Sequence, residues 1–193
     1  IFQDYWVALP DKIIPVTNWV DPLKDDSGLI STFKDSINIL DWEGAIRSTI
    51  VSPVPIQNTH LLYQTILTWG ADNILREWDL DGVQRHAFKH AESITQIVEH
   101  PYGTYTASLT KSGLLQIWDL GWEKYGDIQL ELPTENLELQ FHADYIIAFS
   151  HSAGCNVYHV NGDPLKQAVV QGDIKGVKPT ADDQGLLYWT KDS

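Results

Sequence analysis

The amino-acid sequence predicts an all-β fold built from a repeated unit of about 40 residues. Short runs rich in Ile, Leu, Val, Tyr, Trp and Thr are interrupted by Gly, Pro, Asn and Asp about every 8 to 12 residues, which is typical of strands joined by turns. No segment shows sustained apolar periodicity of about 3.6 residues, so helices are not expected. Two segments that end in Trp-Asp superpose without a gap, which indicates an internal repeat.

The two clearest copies of the repeat each predict a strand, a tight turn and a second strand. Residues 66–80 read ILTWGADNILREWDL and residues 106–120 read TASLTKSGLLQIWDL. Trp78 and Trp118 occupy the same position near the end of the second strand. Because both recur with the repeat, we interpret them as core residues against which neighbouring units pack.

Weaker copies extend the series in both directions along the chain. Residues 30–44 and 146–162 predict further hairpins, with Trp42 and Tyr158 near the aromatic position. Residues 174–193 align without a gap on the strand and hairpin start that precede the second clear copy, which puts Tyr188 and Trp189 in a strand. The chain therefore contains four full units and part of a fifth.

Apolar segments between the hairpins supply two further strands in each unit. The predicted strands lie at residues 84–88, 94–99, 128–132 and 137–141. Four strands in each repeat are typical of a propeller blade. The fold class is therefore an all-β β-propeller of four-stranded antiparallel blades, with four blades and half of a fifth in a single segment over residues 1–193.

The ends of the chain carry a separate expectation about closure. Residues 4–9 are predicted to supply one closing strand, which leaves one strand of the partial fifth blade missing. The chain begins at Ile1 and contains no Met, so we expect it to be part of a longer product. The complete propeller is expected to have about seven blades. The blades missing from this chain are expected from the same gene product or from a partner chain.

The two clearest copies resemble the WD40 repeat, whose hairpin ends in Trp-Asp. Here those residues are Trp78 with Asp79 and Trp118 with Asp119, and HPYG at 100–103 stands where such repeats carry a Ser-Pro-Asp-Gly turn. Divergent repeats of this sort resemble those of large scaffold subunits. The resemblance implies a platform for binding proteins, and it implies no substrate.

The resemblance also implies a buried hydrogen-bond network in each blade, formed by a His, a Ser or Thr, a turn Asp and the Trp. In one blade the turn Asp has no counterpart, and in the other blade the His has none. The residues implied as structural blade core are His90, Ser108 and Trp118 in one blade, and Thr68, Asp72 and Trp78 in the other.

The composition argues against several classes of partner. The chain has 13 Lys plus Arg against 26 Asp plus Glu, a formal net charge of -13, which repels nucleic-acid phosphate and anionic lipid. No apolar run approaches the roughly 20 residues of a membrane helix, so no membrane insertion is expected. The single cysteine, Cys155, is interpreted as a core residue with a raised pKa, and its isolation favours a reducing compartment, the cytoplasm.

The side chains that could carry catalysis or bind metal are interpreted as structural. His86 and His90 are four residues apart, a spacing that shares a face on a helix but not on the predicted strand. Acidic pairs that could serve a glycosidase or bind calcium are interpreted as solvated turn residues, since none shows the D-x-D-x-D-G spacing. These pairs are Asp25 with Asp26, Asp41 with Glu43, and Asp182 with Asp183. No metal and no cofactor are predicted.

Trp122 and Tyr125 are the candidate partner-binding residues. Both follow the second Trp-Asp, and Trp122 lies outside the register of the core tryptophans. The predicted function is a non-catalytic scaffold for protein–protein interactions in a multisubunit complex. Two alternatives stay open: a propeller enzyme similar to glycoside hydrolases, with acidic residues near the central channel, and a reader of basic peptides such as a histone tail, which rests on the net charge.

Overall fold

The computed structural model describes residues 5–190 except residues 10–11, 17–18, 151–152, 169–173 and 181–184. Every regular element within these residues is a β-strand, so the predicted all-β class is confirmed. In chain order the strands are β1 Tyr5–Leu9, β2 Lys12–Val16, β3 Trp19–Pro22, β4 Leu29–Phe33, β5 Ser36–Leu40, β6 Ile46–Val51, β7 Ile56–Leu61, β8 Thr65–Gly70, β9 Ile74–Asp79, β10 Gln84–Lys89, β11 Ile94–Glu99, β12 Tyr105–Thr110, β13 Leu114–Asp119, β14 Lys124–Gln129, β15 Leu137–His142, β16 Tyr145–Ser150, β17 Gly154–His159, β18 Pro164–Ala168, β19 Ile174–Pro179 and β20 Leu186–Thr190.

Four sheets of four strands each account for most of the described chain. We name them sheet S1 (β3 to β6), sheet S2 (β7 to β10), sheet S3 (β11 to β14) and sheet S4 (β15 to β18). Strands β1 and β2 form a separate two-stranded sheet, as do β19 and β20. Within every sheet, hydrogen-bonded neighbours are consecutive in the sequence. The predicted four-stranded antiparallel units are therefore present.

The predicted strand positions agree with the structure except in one place. The hairpins predicted at 30–44, 66–80, 106–120 and 146–162 are β4–β5, β8–β9, β12–β13 and β16–β17. The strand predicted at 128–132 is wrong, since β14 occupies Lys124–Gln129. Leu130 and Leu132 lie beyond the end of this strand, with the Leu130 N–H donating to the carbonyl of Gly113, yet both side chains remain buried. Burial of a loop produced the apolar pattern that resembled a strand.

The prediction for Trp42 is also wrong. In sheet S3, Trp118 pairs next to a register shift in β13, and Leu40 has the corresponding place in β5 of sheet S1. Trp42 lies in the following turn, where it is 43% exposed and its Nε1 donates to the carbonyl of Asp26 at 2.8 Å. Tyr158 does occupy the aromatic position, opposite Ile146.

The N-terminal segment contains two strands where one was predicted. Strand β2 pairs with β1 over five residues, from Leu9 opposite Lys12 to Tyr5 opposite Val16. Pro15 in β2 made a second strand difficult to predict, because proline cannot donate to a ladder. A two-stranded sheet tolerates it, since each strand has an edge that its partner does not use.

The chain divides into two compact units, Ile1–Ile94 and Thr95–Ser193. In the first unit, sheets S1 and S2 pack through one apolar cluster. That cluster contains Leu23, Ile30, Ile37, Ile39, Ile50, Ile66 and Trp78. Each fully buried aliphatic side chain of this kind contributes about 1.5–3 kcal/mol to folding.

In the second unit, sheets S3 and S4 share the largest apolar cluster. It contains Ala107, Leu109, Leu115, Ile117, Ile128, Leu130, Leu132, Leu137, Leu139, Phe141, Ile146, Ala148, Tyr158 and Val160. The two sheets approach closely, because a Cβ on Gly126 would lie 2.9 Å from the carbonyl oxygen of Val160. Ile174 and Val177 of β19 are buried in a smaller cluster with sheet S4.

Candidate interaction surface

The turn between the third and fourth strands has the same backbone structure in all four four-stranded sheets. In each turn the carbonyl of the first residue accepts a hydrogen bond from the N–H of the fourth residue. The N–H of the first residue donates to the carbonyl of the fifth residue, and all these bonds measure 2.8 to 3.1 Å. The first residues are Asp41, Asp79, Asp119 and His159, and the fourth residues are Gly44, Gly82, Trp122 and Gly162. The repeat therefore includes this turn as well as the hairpin before it.

The aspartate that opens the turn also binds it through its side chain. Asp119 Oδ1 accepts hydrogen bonds from the N–H groups of Gly121, at 2.9 Å, and Glu123, at 2.8 Å. Asp79 makes the same two bonds in sheet S2. Donation by the Val83 N–H, with a further bond from Arg85, keeps the pKa of Asp79 below its ordinary value. Each carboxylate thus keeps its turn closed.

Trp122 occupies a backbone conformation that the equivalent positions reserve for glycine. Its φ is 60°, and the three corresponding glycines have φ of 80° at Gly44, 87° at Gly82 and 101° at Gly162. A side chain in this left-handed region costs about 1–2 kcal/mol, which glycine avoids. The predicted partner-binding residue Trp122 is half-buried, so the structure does not make it a fully exposed anchor.

Aromatic side chains gather at the end of sheet S3 that carries this turn. Tyr102 is 87% exposed, Leu120 is 74% exposed and Tyr125 is 47% exposed. The Tyr105 ring lies 5.1 Å from the Tyr125 ring, and His100 lies 5.6 Å from Tyr102 and 6.0 Å from Tyr105. We call this set, Tyr102, Tyr105, Leu120, Trp122 and Tyr125, the S3 aromatic surface.

Acidic groups surround the S3 aromatic surface. Asp119 and Asp144 both act on the Tyr105 hydroxyl, whose pKa is raised chiefly by burial, by its bond with Tyr125 and by these carboxylates. Glu123 is exposed beside Trp122. Lys124 does not neutralise this group, because its Nζ binds Asp127 Oδ2 at 2.9 Å. The surface thus combines exposed rings with negative charge.

The predicted core residues contain a tryptophan–hydroxyl hydrogen bond that recurs in two sheets. Trp78 Nε1 donates to Thr68 Oγ1 at 2.8 Å, and Trp118 Nε1 donates to Ser108 Oγ at 3.2 Å. All four residues are buried. The structure brings the members of each pair together at matching register positions.

The other two predicted core residues have different surroundings. Asp72 binds Arg76, with 2.5 Å between Oδ2 and Nη2, and this bond lowers the pKa of Asp72. Sequence reasoning missed Arg76, although it lies four residues away on the other side of the turn. His90 is buried, with Nδ1 3.2 Å from the Phe88 carbonyl, and burial lowers its pKa.

The remaining candidates for chemistry lie apart from the S3 aromatic surface. His86 Nδ1 binds Glu77 Oε2 at 2.7 Å, whereas His90 Nδ1 lies next to the Phe88 carbonyl. Cys155 is buried, and burial raises its pKa to about 11, as predicted. In the part of the chain that the structure describes, no three His, Cys, Asp or Glu side chains form a group that could hold a metal ion.

The acidic pairs singled out in the sequence lie in turns where the structure describes them. Asp25 Oδ1 accepts from the Ser27 N–H at 3.0 Å, and its bonds with Ser27 lower its pKa. Asp41 Oδ1 accepts from the Ala45 N–H at 2.7 Å. Residues 182–183 lie outside the described residues.

Sequence reasoning identified Trp122 and Tyr125 but missed Tyr102 and Tyr105. A signal for the turn was present, since DWEG, DLDG, DLGW and HVNG recur at residues 41, 79, 119 and 159. No protein-family model matches the chain, and no curated protein matches it in sequence. Within the described residues, no helix is long and apolar enough to cross a membrane.

Proposed function

We propose that this chain is a segment of a WD40-type β-propeller that acts as a non-catalytic scaffold, binding other protein subunits of a complex in the cytoplasm. The four-stranded sheets are its blades. The recurrence of the tryptophan–hydroxyl bond and of the closing turn supports the assignment, because both are features of a repeated blade.

The observation that carries the binding role is the S3 aromatic surface. Tyrosine and tryptophan dominate protein interfaces because they bury a large area at a low cost in side-chain entropy. Here Tyr102 and Tyr125 present their rings to solvent, and Trp122 is held in a conformation that favours glycine. Strained positions of this kind concentrate at functional sites.

A co-purification experiment with matched variants tests this proposal. The tagged full chain is recovered from cells as wild type, as Tyr102→Ala/Tyr125→Ala, and as Tyr63→Ala, which removes a 63% exposed tyrosine of sheet S2. We expect stoichiometric partners with the wild type and with Tyr63→Ala, and their loss from the double variant. Recovery of the same partners with the double variant, or release of sugar from glycosides by the purified protein, would contradict the proposal.

A further inference from the structure

An aspartate–arginine ion pair within sheet S2 indicates which chemical group the S3 aromatic surface binds. In sheet S2, the Oδ2 atom of Asp79 forms an ion pair with the guanidinium of Arg85, six residues further along the chain. Asp79 Oδ1 is meanwhile engaged with the N–H groups of the turn. The Asp79 carboxylate thus binds the turn through Oδ1 and pairs with Arg85 through Oδ2.

Sheet S3 has the same carboxylate but no arginine of its own. Asp119 makes the same turn bonds through Oδ1, and Tyr125 stands six residues after it, where sheet S2 has Arg85. In each sheet a register shift lies beside the pair formed by the core tryptophan, which is Trp78 with Gln84 in S2 and Trp118 with Lys124 in S3. Arg85 and Tyr125 are the next residues along their strands, so their positions are equivalent. Among the described residues, no Lys or Arg forms an ion pair with Asp119.

We propose that the S3 aromatic surface binds an arginine from an extended segment of a partner protein, with the guanidinium paired to Asp119 and stacked on the Tyr125 ring. This inference rests on the proposed scaffold function and names the chemistry of the partner. Glu123 and Asp144 add negative charge around the site, and the net charge of -13 favours approach of a basic segment.

Arginine fits this surface better than lysine does. Its planar guanidinium can stack on an aromatic face while it donates to a carboxylate, whereas an ammonium is a compact and strongly hydrated point charge. The tilted Tyr105–Tyr125 pair, with centroids 5.1 Å apart, offers such a face, and exposed Tyr102 lies at the same end of the sheet. Leu120 is exposed at the same end and offers an apolar contact for a neighbouring side chain of the segment.

Two substitutions in the full chain test the site directly. The probe is the fluorescein-labelled peptide Gly-Arg-Leu-Arg-Ser-Arg-Leu-Gly, and its binding is followed by fluorescence anisotropy. Asp119→Asn keeps an Oδ1 acceptor for the turn but removes the charge, and Tyr125→Arg supplies the arginine internally, as sheet S2 does. We expect each variant to weaken binding about tenfold or more, with thermal unfolding recorded to show that the fold is kept.

The control variant separates this site from general attraction between opposite charges. Glu131→Gln removes one exposed negative charge elsewhere in the same unit and should change the affinity less than twofold. The peptide with Lys in place of Arg should bind more weakly to the wild type. Equal affinities for wild type, Asp119→Asn and Glu131→Gln would overturn the inference, even if Tyr125→Arg proved unable to fold.

A reciprocal substitution in sheet S2 adds a gain of binding. Arg85→Tyr releases the Asp79 carboxylate from its ion pair and places a tyrosine beside it, as in the Asp119–Tyr125 pair. Thr65 stands where sheet S3 has Tyr105, so a second but weaker peptide site should appear in the titration. Failure of this inference is distinguishable from failure of the proposed function. If the Tyr102→Ala/Tyr125→Ala variant loses its partners while no form of the chain binds the arginine peptide, the scaffold stands and the arginine assignment falls.

Discussion

Trp122 shows how one residue departs from a repeat that its neighbours keep. Three of the four equivalent turns have glycine at this position, and the fourth holds tryptophan at a φ of 60°. The hydrogen bond from its N–H to the Asp119 carbonyl, at 3.0 Å, is the same as in the glycine turns. The turn therefore imposes the backbone angle, and the side chain adapts to it.

Replacing Trp122 by glycine and by alanine isolates the cost of that backbone angle. Both variants remove the indole, so their difference reports on the backbone alone. We expect Trp122→Gly to have a free energy of unfolding about 1 kcal/mol above that of Trp122→Ala, as measured by urea denaturation. In β14 the order should reverse, with Lys124→Gly less stable than Lys124→Ala. A more stable alanine variant at position 122 would show that the left-handed conformation is not kept in solution.

At the scale of single residues, the sequence predicted what recurs and missed what is paired across a turn. Trp78 and Trp118 were identifiable as core because they recur with the period. The bond between Asp72 and Arg76 depends on how the β8–β9 turn places Asp72. The contrast between Arg85 and Tyr125 depends on which side chain the register shift beside the core tryptophan places near the aspartate. Spacing alone does not contain that information.

The closing turn is an element that stabilises itself almost entirely by local bonds. In sheet S3 it contains two backbone hydrogen bonds and two bonds to the Asp119 carboxylate, all within five residues. Hydrogen bonds to a charged acceptor contribute about 1.5–3 kcal/mol when buried, and less where water competes. Each turn of this kind holds its two strands in register.

Substitutions of Asp119 separate hydrogen bonding from charge in this element. Asp119→Ala removes the acceptor for two N–H groups, so we expect it to lower the free energy of unfolding by about 1–2 kcal/mol. Asp119→Asn retains an acceptor oxygen and should lose less than half of that amount. Chemical denaturation of both variants, with Glu131→Ala as an exposed control, measures the difference. Equal losses for Ala and Asn would mean that the charge, and not the hydrogen bonds, stabilises the turn.

At the scale of elements, the pattern of strands and turns predicted most of the fold. The hairpins were predicted correctly because turn residues and β-branched runs are local signals. The prediction of a strand at 128–132 failed because Leu130 and Leu132 lie in a loop whose side chains are buried. The second N-terminal strand was not predicted, because a proline such as Pro15 is a local signal against strands. Proline is nevertheless tolerated at the edge of a sheet.

For the whole molecule, acid sensitivity depends on a buried histidine as well as on carboxylates. Burial lowers the pKa of His90 below its ordinary 6.5, so the folded state binds a proton at His90 less readily than the unfolded state does. As the pH falls below about 6.5, the unfolded state therefore binds more protons at His90 than the folded state does. Acidification over this range lowers the free energy of unfolding. The reduction of the net charge of -13 acts in the opposite direction by relieving self-repulsion.

Comparing wild type with His90→Gln at two pH values tests this. We expect the free energy of unfolding of the wild type to fall more between pH 7.5 and pH 5.5 than that of the variant. Both proteins experience the same change in overall repulsion, so the difference between the two falls isolates His90. Urea denaturation at each pH gives the four values, and parallel falls would show that His90 is accessible to protons in the folded state.

The order of strands in the sheets also determines how the chain folds. Every ladder joins strands that are consecutive in the sequence, so each requires the closure of only a short loop. Low sequence separation between contacting residues speeds folding, and β-proteins with distant pairings fold slowly. At a synthesis rate of about 5–20 residues per second, sheets S1 and S2, which share one apolar cluster, have time to pack together before the ribosome completes the second unit. A fragment of residues 1–94, released from the ribosome, should therefore already protect the amides of S1 and S2 from exchange with solvent.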